Sequence, residues 1–242
     1  MASLDSLELK PEQKTVVEGI QTDLEKLGDA SKEPRAKLEG DVADGITAGK
    51  LDHKKTDADI TALATAVAAT APTMQDAMNR LYKTLDAAQR KKLVETMREK
   101  GKDMHQHMAE HEGMGKGPMT KDHEGMGESP LLKLADALAL TPEQKDKLKT
   151  KLEAQMKANH ATVKTKHEAA QKQLDAIGTA FEGDKFEAKK AGIGTLAPDL
   201  VKTMATQKVQ FVETVLAVLT PEQRTRFAAH LKEHAHDMEE GG

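Results

Sequence analysis

A five-residue phrase recurs along this chain and constrains its fold more than any other feature. Two copies read LTPEQ, at Leu140–Gln144 and Leu219–Gln223, and two weaker copies read LKPEQ at Leu9–Gln13 and LDAAQ at Leu85–Gln89. The final glutamines of the weaker pair are 89 − 13 = 76 residues apart, and those of the stronger pair are 223 − 144 = 79 residues apart. This matched spacing predicts two similar units in tandem.

Each phrase is suited to begin an α-helix. Thr141 and Thr220 are typical N-cap residues, and a proline follows each of them at the first helical position, where its missing N–H needs no partner. A glutamine three residues after the cap completes a capping box. Lys10 is a poor cap, so the first copy is weaker. We expect Leu140 and Leu219, which precede the caps, to point inward.

The sequence around the phrases also aligns between the two halves of the chain. Residues 78–93 align with residues 212–227 at an offset of 212 − 78 = 134. Upstream, Gly49–Asp52 aligns with Asp184–Glu187 at an offset of 184 − 49 = 135. An offset that changes by a residue or two is what loop insertions produce, so the alignment supports an internal duplication.

The chain resembles the Spy/CpxP family of bacterial periplasmic proteins. The resemblance rests on the paired Leu-Thr-x-x-Gln phrases, a Lys-Phe-Glu turn at Lys185–Glu187 and a Leu-Tyr-x-x-Leu run at Leu81–Leu85. It covers most of the chain, as two copies. The resemblance implies an all-helical protein whose pairs of helical hairpins form a thin curved cradle. Some family members are ATP-independent chaperones, some modulate envelope-stress signalling, and some relatives bind zinc, nickel or cobalt through His, Glu and Met.

These observations predict an all-α fold with two tandem helical hairpin units. The first unit covers residues 1–111, a linker rich in Gly, Met and His covers 112–129, and the second unit covers 130–242. The two units are expected to pair as a pseudo-dimer within one chain, or between chains as a homodimer, and the sequence does not choose between them. A periplasmic location is implied by the resemblance alone, because residues 1–10 lack the features of a signal peptide.

Composition narrows the classes of function. Charged residues make up 31% of the chain and aromatic residues 2%, which favours thin helical layers over a thick core. A net charge of −4 argues against nucleic acid as a partner, and the absence of cysteine excludes thiol chemistry. The longest apolar run, Thr61–Ala71, is shorter than the roughly 18 to 20 residues that a membrane span needs.

Histidine and methionine are concentrated before and within the linker. Imidazole suits zinc, copper and nickel, and thioether sulfur favours reduced copper, so this segment is a candidate metal site. The alternative is a solvated, low-complexity linker with incidental weak affinity. The candidate ligands are Met104, His105, His107, Met108, His111 and His123.

A second candidate metal site lies near the C-terminus. His230, His234 and Met238 follow one another at i, i+4 spacing, which stacks them on one face of a helix, and His236 lies close by. Two imidazoles one turn apart can bind one zinc, copper or nickel ion. The alternative is a polar helix end in which histidines interact favourably with the helix dipole. No cofactor is required by either interpretation.

Several other residues sit on apolar helical stripes. We expect His160 and His167 to be packed core histidines, because they continue the stripe of Val163. Met74, Met78, Met156 and Met204 are expected to fill the core. Flexible methionine surfaces also suit promiscuous binding, so this second interpretation stays open.

No phosphate loop, nucleophile elbow or zinc-protease motif is present in the sequence, and we expect no enzymatic activity. The first functional hypothesis, from the resemblance, is an ATP-independent chaperone that binds unfolded or partly folded client proteins. The rival hypothesis is a metal-binding or metal-sensing helical protein. A plain scaffolding role is the third.

Overall fold

The computed structural model describes the backbone of residues 7–114 and 130–240, and the side chains of residues 7–101 and 132–231. All regular structure in these ranges is helical, which confirms the all-α prediction. None of the described helices is both long and apolar enough to span a membrane. The helices are α1 (Pro11–Glu25), a 3-10 turn (Lys26–Gly28), α2 (Asp29–Ala48), α3 (His53–Ala69), α4 (Ala71–Thr84), α5 (Ala87–Met114), α6 (Pro130–Ala137), α7 (Pro142–Glu182), α8 (Leu196–Leu216) and α9 (Pro221–Glu240).

The recurring phrases begin four of these helices, as predicted. Helices α1, α5, α7 and α9 each start at the third residue of a phrase. A helix break lies just before Pro72, where α3 ends at Ala69 and α4 starts at Ala71. Helix α3 begins at His53, since the Asp52 carboxylate accepts hydrogen bonds from the backbone N–H groups of Lys54 and Lys55 and caps the helix.

The described residues form two compact units, and each unit draws on segments from both sides of the linker. Unit 1 contains the described residues of Met1–Lys26, Pro72–Gly127 and Gln171–Ile193. Unit 2 contains those of Leu27–Ala71, Glu128–Ala170 and Gly194–Gly242. The compact units therefore do not coincide with the sequence units 1–111 and 130–242, whose limits as repeats stay a prediction.

Unit 1 is built around the weaker pair of phrases. Its apolar core combines residues of α1, α4 and α5 with residues that end α7 and follow it. Three aromatic rings cluster here, with Tyr82 5.7 Å from Phe181 and 5.4 Å from Phe186 between ring centroids. The buried residues are Leu7, Val17, Ile20, Ala77, Leu81, Leu85, Leu93, Val94, Phe181, Phe186, Ala188 and Ile193.

Unit 2 is built around the stronger pair of phrases. Helices α2 and α3 pack together, α3 packs on α8, and α2 packs on α9. The core contains side chains of α2, α3 and the turn between them, together with side chains of α6 to α9. Its most deeply buried members are Ile46, Leu138, Leu148, Val212, Val215 and Phe227.

Candidate functional site

The glutamines of the stronger phrases bind each other across 79 residues of sequence. Gln144 Nε2 donates to Gln223 Oε1 at 2.7 Å and to the Val218 carbonyl oxygen at 2.7 Å. Gln223 Nε2 donates in return to Gln144 Oε1 at 3.0 Å and to the Ala139 carbonyl oxygen at 3.2 Å. Each glutamine thus holds the segment that leads into the other glutamine's helix.

The same glutamines close the predicted capping boxes. The Thr141 backbone N–H donates to Gln144 Oε1 at 3.0 Å, and the Gln144 N–H donates to Thr141 Oγ1 at 3.2 Å. Thr220 and Gln223 repeat this exchange at 3.0 and 3.4 Å. The N-cap predictions are confirmed, and the link between the two boxes is a feature that the sequence analysis missed.

The weaker phrases form a matching pair in unit 1. Gln13 Nε2 donates to Gln89 Oε1 at 2.8 Å and to the Thr84 carbonyl oxygen at 2.7 Å, while Gln89 Nε2 donates to Gln13 Oε1 at 3.2 Å. The Lys10 side chain makes no capping hydrogen bond, as its chemistry predicts, and only its backbone N–H bonds to Gln13. The Asp86 carboxylate does cap the Gln89 N–H, at 2.8 Å.

The leucines of the phrases anchor these pairs in the cores. Leu140, Leu219 and Leu85 are buried, which confirms the inward orientation predicted for Leu140 and Leu219. Leu9 is only partly buried, and Leu7, two residues before the first phrase, is buried instead. The paired phrases therefore stabilise the packing of their helices and do not form an open binding site.

An exposed apolar surface lies elsewhere in unit 2, on α7 and α8. It consists of four side chains, whose exposed fractions are 72% for Met156, 41% for Val163, 59% for Leu200 and 59% for Met204. We call these four residues the α7–α8 strip. The expectation that Met156 and Met204 fill the core is wrong, whereas Met74 and Met78 do pack against the unit 1 core.

The members of the α7–α8 strip share one face of the helix pair. Asn159 Nδ2 donates to Gln210 Oε1 at 3.1 Å and Lys166 Nζ donates to Thr203 Oγ1 at 2.8 Å. These two hydrogen bonds fix an antiparallel register between the helices. They also mark the line along which α7 faces α8, which we call the seam. Successive residues of a helix are rotated by about 100° around its axis. Counted from the residues at the seam, the strip residues are therefore rotated by about 50 to 110°, and the sense of rotation is the same on both helices. In antiparallel helices the same sense of rotation leads to the same face.

Polar and charged side chains surround the strip. His160 and His167 are exposed on α7, so the expectation that they are core residues is wrong. Both lie on the strip's side of α7, since they are four and eleven residues from Met156. On α8, Lys208 Nζ lies 3.1 Å from Glu39 Oε1. The strip is thus an apolar surface interrupted by polar groups.

The predicted metal ligands fall mostly outside the described side chains. The backbone of α5 covers Met104, His105, His107, Met108 and His111, and that of α9 covers His230, His234, His236 and Met238. Only the side chain of His230 is described, and it is partly buried. His123 lies outside the described residues. Within the residues that the structure describes, no three His, Asp or Glu side chains are grouped to hold a metal ion.

Comparison with known proteins assigns the second part of the chain. Residues 126–231 match the family model described as LTXXQ motif family protein. The match contains both stronger phrases and all four residues of the α7–α8 strip. No curated protein and no solved structure matches the chain. The match to the LTXXQ motif family over residues 126–231 supports the Spy/CpxP-type assignment made from the paired phrases.

Proposed function

We propose that this protein is an ATP-independent chaperone of Spy/CpxP type that acts in the periplasm and binds unfolded or partly folded clients. The observation that carries the proposal is the α7–α8 strip, four large apolar side chains held open to solvent on two packed helices. Exposed apolar surface of this kind marks a site of interaction. The family match supports the proposal, because the strip lies within residues 126–231.

The chemistry of the strip favours weak binding of many sequences. Two of its four members are methionines, whose flexible thioether chains adapt to differently shaped apolar groups. The surrounding side chains of His160, His167 and Lys164 are polar and exposed, which limits the apolar contact to short segments. A client segment that exposes a few apolar residues therefore finds partners without a deep pocket.

The experiment is suppression of aggregation of an unrelated denatured enzyme, measured by light scattering. The wild-type protein should suppress aggregation at near-stoichiometric ratios. A variant with Met156→Ser, Val163→Ser, Leu200→Ser and Met204→Ser should suppress it much less. Because these side chains are exposed, their replacement should change the free energy of unfolding only slightly, by about 0.5 kcal/mol per site or less.

The matched control replaces exposed apolar residues outside the strip, in unit 1. Leu24, Met97 and Leu174 are exposed there by 37%, 59% and 54%. A variant with Leu24→Ser, Met97→Ser and Leu174→Ser should keep full suppression. Equal activity of the strip variant and the wild type, or no suppression by the wild type at several-fold excess, would refute the proposal.

Metal binding remains a second proposal, which rests on the i, i+4 spacing of His230, His234 and Met238 along α9. Calorimetric titration with zinc, copper and nickel tests it. Micromolar or tighter affinity that is lost in His230→Ala/His234→Ala supports a metal-binding role. Weak uptake at many sites, unchanged in this variant, contradicts it.

A further inference from the structure

We infer that the two halves of this chain are heterotypic partners, in which each half carries a socket that accepts the hairpin tip of the other half and rejects its own. By socket we mean the phrase-bearing helices of one unit together with the helix that leads into the second phrase, which are α1, α4 and α5 in unit 1 and α7, α8 and α9 in unit 2. By tip we mean the segment of the opposite half that packs on them, residues 46–52 in unit 2 and 181–188 in unit 1. The inference concerns how the chain recognises itself, and it is independent of client binding.

The socket of unit 1 holds its tip with aromatic rings and polar anchors. Phe181 and Phe186 pack edge-to-face at 5.1 Å and both contact Tyr82 of the socket. The Tyr82 hydroxyl donates to the Gly183 carbonyl oxygen at 2.8 Å. The guanidinium carbon of Arg90 lies over the Tyr82 ring, 4.4 Å from its centroid. This socket is shaped for two phenylalanines.

Further polar contacts fix the register of this tip. The Ala188 backbone N–H donates to Asn79 Oδ1 at 2.9 Å, and Gln75 Nε2 donates to the Ile193 carbonyl oxygen at 2.9 Å. Arg98 of α5 pairs with Glu182 at 2.8 Å. Each of these bonds joins the first half of the chain to the second.

The socket of unit 2 holds a smaller, aliphatic tip. Ile46 and Leu51 are buried there, at positions that align with Phe181 and Phe186 at the offset of 135. The position aligned with Tyr82 at the offset of 134 is Leu216, which is also buried. This socket therefore lacks both the ring and the hydroxyl that hold the aromatic tip in unit 1.

Gly49 makes the tip of unit 2 especially restrictive. It has φ 78° and caps α2, a backbone conformation that residues with a Cβ rarely adopt. A Cβ on Gly49 would lie 2.1 Å from Nη1 of Arg224. The residue that aligns with Gly49 at the offset of 135 is Asp184. The tip around Gly183–Glu187 contains no residue with a positive φ, so its backbone follows a different path.

Exchanging the tips would be unfavourable in both directions. Phenylalanine rings at the positions of Ile46 and Leu51 would overpack the unit 2 core, and Asp184 at the position of Gly49 would be strained by the positive φ there and would displace the Arg224 side chain. In the opposite direction, isoleucine and leucine beside Tyr82 would leave a cavity where the two phenylalanine rings pack. When a first half pairs with a second half, each socket holds the tip that fits it. When two like halves pair, neither socket holds a tip that fits.

The first test cuts the folded full-length chain at a protease site inserted between residues 115 and 129. The two fragments should remain together as a one-to-one complex in size-exclusion chromatography with light scattering. Cut protein and isotopically labelled cut protein are then mixed in urea just below the unfolding midpoint, and exchange is followed by native mass spectrometry. Only complexes of one first half with one second half should form. Separation of the fragments on cutting, or complexes of two like halves, would overturn the inference.

The second test uses a variant of the tip and a matched control on the same helix. Gly49→Asp in the cut protein should weaken the association of the halves about tenfold, because it forces a residue with a Cβ into the left-handed backbone conformation and displaces the Arg224 side chain. Gly40→Asp on α2 is the control, since a Cβ there meets nothing within 4 Å. An equal urea midpoint of dissociation for the two variants would show that the tip does not set the pairing.

Discussion

The glutamine at the end of each phrase accepts one hydrogen bond and donates another, which no other side chain of its length can do. Its amide oxygen accepts the N–H of its own helix cap, and its amide nitrogen donates to the partner phrase. A glutamate has the same length but lacks the donor, and an asparagine is one methylene shorter. The hydrogen-bonding needs of both phrases therefore explain why the glutamines recur as pairs.

This chemistry predicts the effect of Gln144→Glu at neutral pH. The variant replaces the donating Nε2 by a carboxylate oxygen that faces Gln223 Oε1 and the Val218 carbonyl oxygen, so both acceptors lose this donor and Gln223 Oε1 keeps the Thr220 N–H. We expect a loss of about 1 to 3 kcal/mol in the free energy of unfolding, measured by urea denaturation. Gln207→Glu on α8 is the control and should cost about 0.5 kcal/mol or less. Equal midpoints for the two variants would contradict this role of the pair.

At the scale of the helix, the sequence predicted well where the helices start and poorly which of their side chains are exposed. Caps and prolines act locally, so the starts of α5, α7 and α9 are readable from the phrases. Exposure depends on which stripe finds a neighbouring helix, and Met156 and Met204 find none although they lie on apolar stripes. His53 shows the same limit, because its Nε2 lies 2.8 Å from Glu213 Oε1, on a helix distant in sequence.

A charged cluster between α2 and α3 adds a pH dependence to unit 2. Lys37 Nζ pairs with Asp59 and lies 2.9 Å from Asp41 Oδ2, while Lys55 Nζ is 3.9 Å from Asp41 Oδ1. The hydrogen bond from Lys37, followed by one with Asp59, lowers the pKa of Asp41 below its ordinary value. The hydrogen bonds to Asp59 and Asp41 raise the pKa of Lys37.

The directions of these pKa shifts determine the pH range in which the cluster stabilises the folded state. A lowered carboxyl pKa stabilises the folded state above the ordinary value of 3.8, and this contribution is lost as the pH falls through the lowered pKa. A raised lysine pKa stabilises it below the ordinary value of 10.5, and this contribution is lost as the pH rises through the raised pKa. Lys37→Met should therefore lower the urea midpoint most between these two values, and the difference from wild type should shrink in acid.

The control for this prediction is a lysine whose ion pair is exposed on both sides. Lys91 Nζ lies 3.9 Å from Glu95 Oε1, and both side chains are more than half exposed. Lys91→Met should leave the urea midpoint and its pH dependence almost unchanged. A Lys37→Met profile that runs parallel to the wild-type profile down to pH 3 would contradict the linkage.

At the scale of the whole molecule, the order of the helices along the chain does not give the composition of the compact units. Repeats in sequence suggest that each repeat folds around its own core. Here the buried Phe181 and Phe186 belong to a core whose phrases lie in the first half, and the buried Ile46 and Leu51 belong to a core whose phrases lie in the second. Pattern and spacing cannot reveal this, because an apolar stripe is equally satisfied by a near or a distant partner.

This interleaving predicts that neither half is stable alone. In a chain of residues 1–114, the side chains of Leu38, Val42, Ile46, Ile60 and Leu63 lose the α8 and α9 residues that cover them. At about 1.5 to 3 kcal/mol per large apolar side chain, their exposure removes about 7 to 15 kcal/mol, as much as the whole stability of a typical domain. We expect fragment 1–114 to show reduced helicity and no cooperative melting in circular dichroism. Adding fragment 130–242 should restore both. A monomeric fragment 1–114 that melts cooperatively at the temperature of the full chain would show that the first half has a sufficient core of its own.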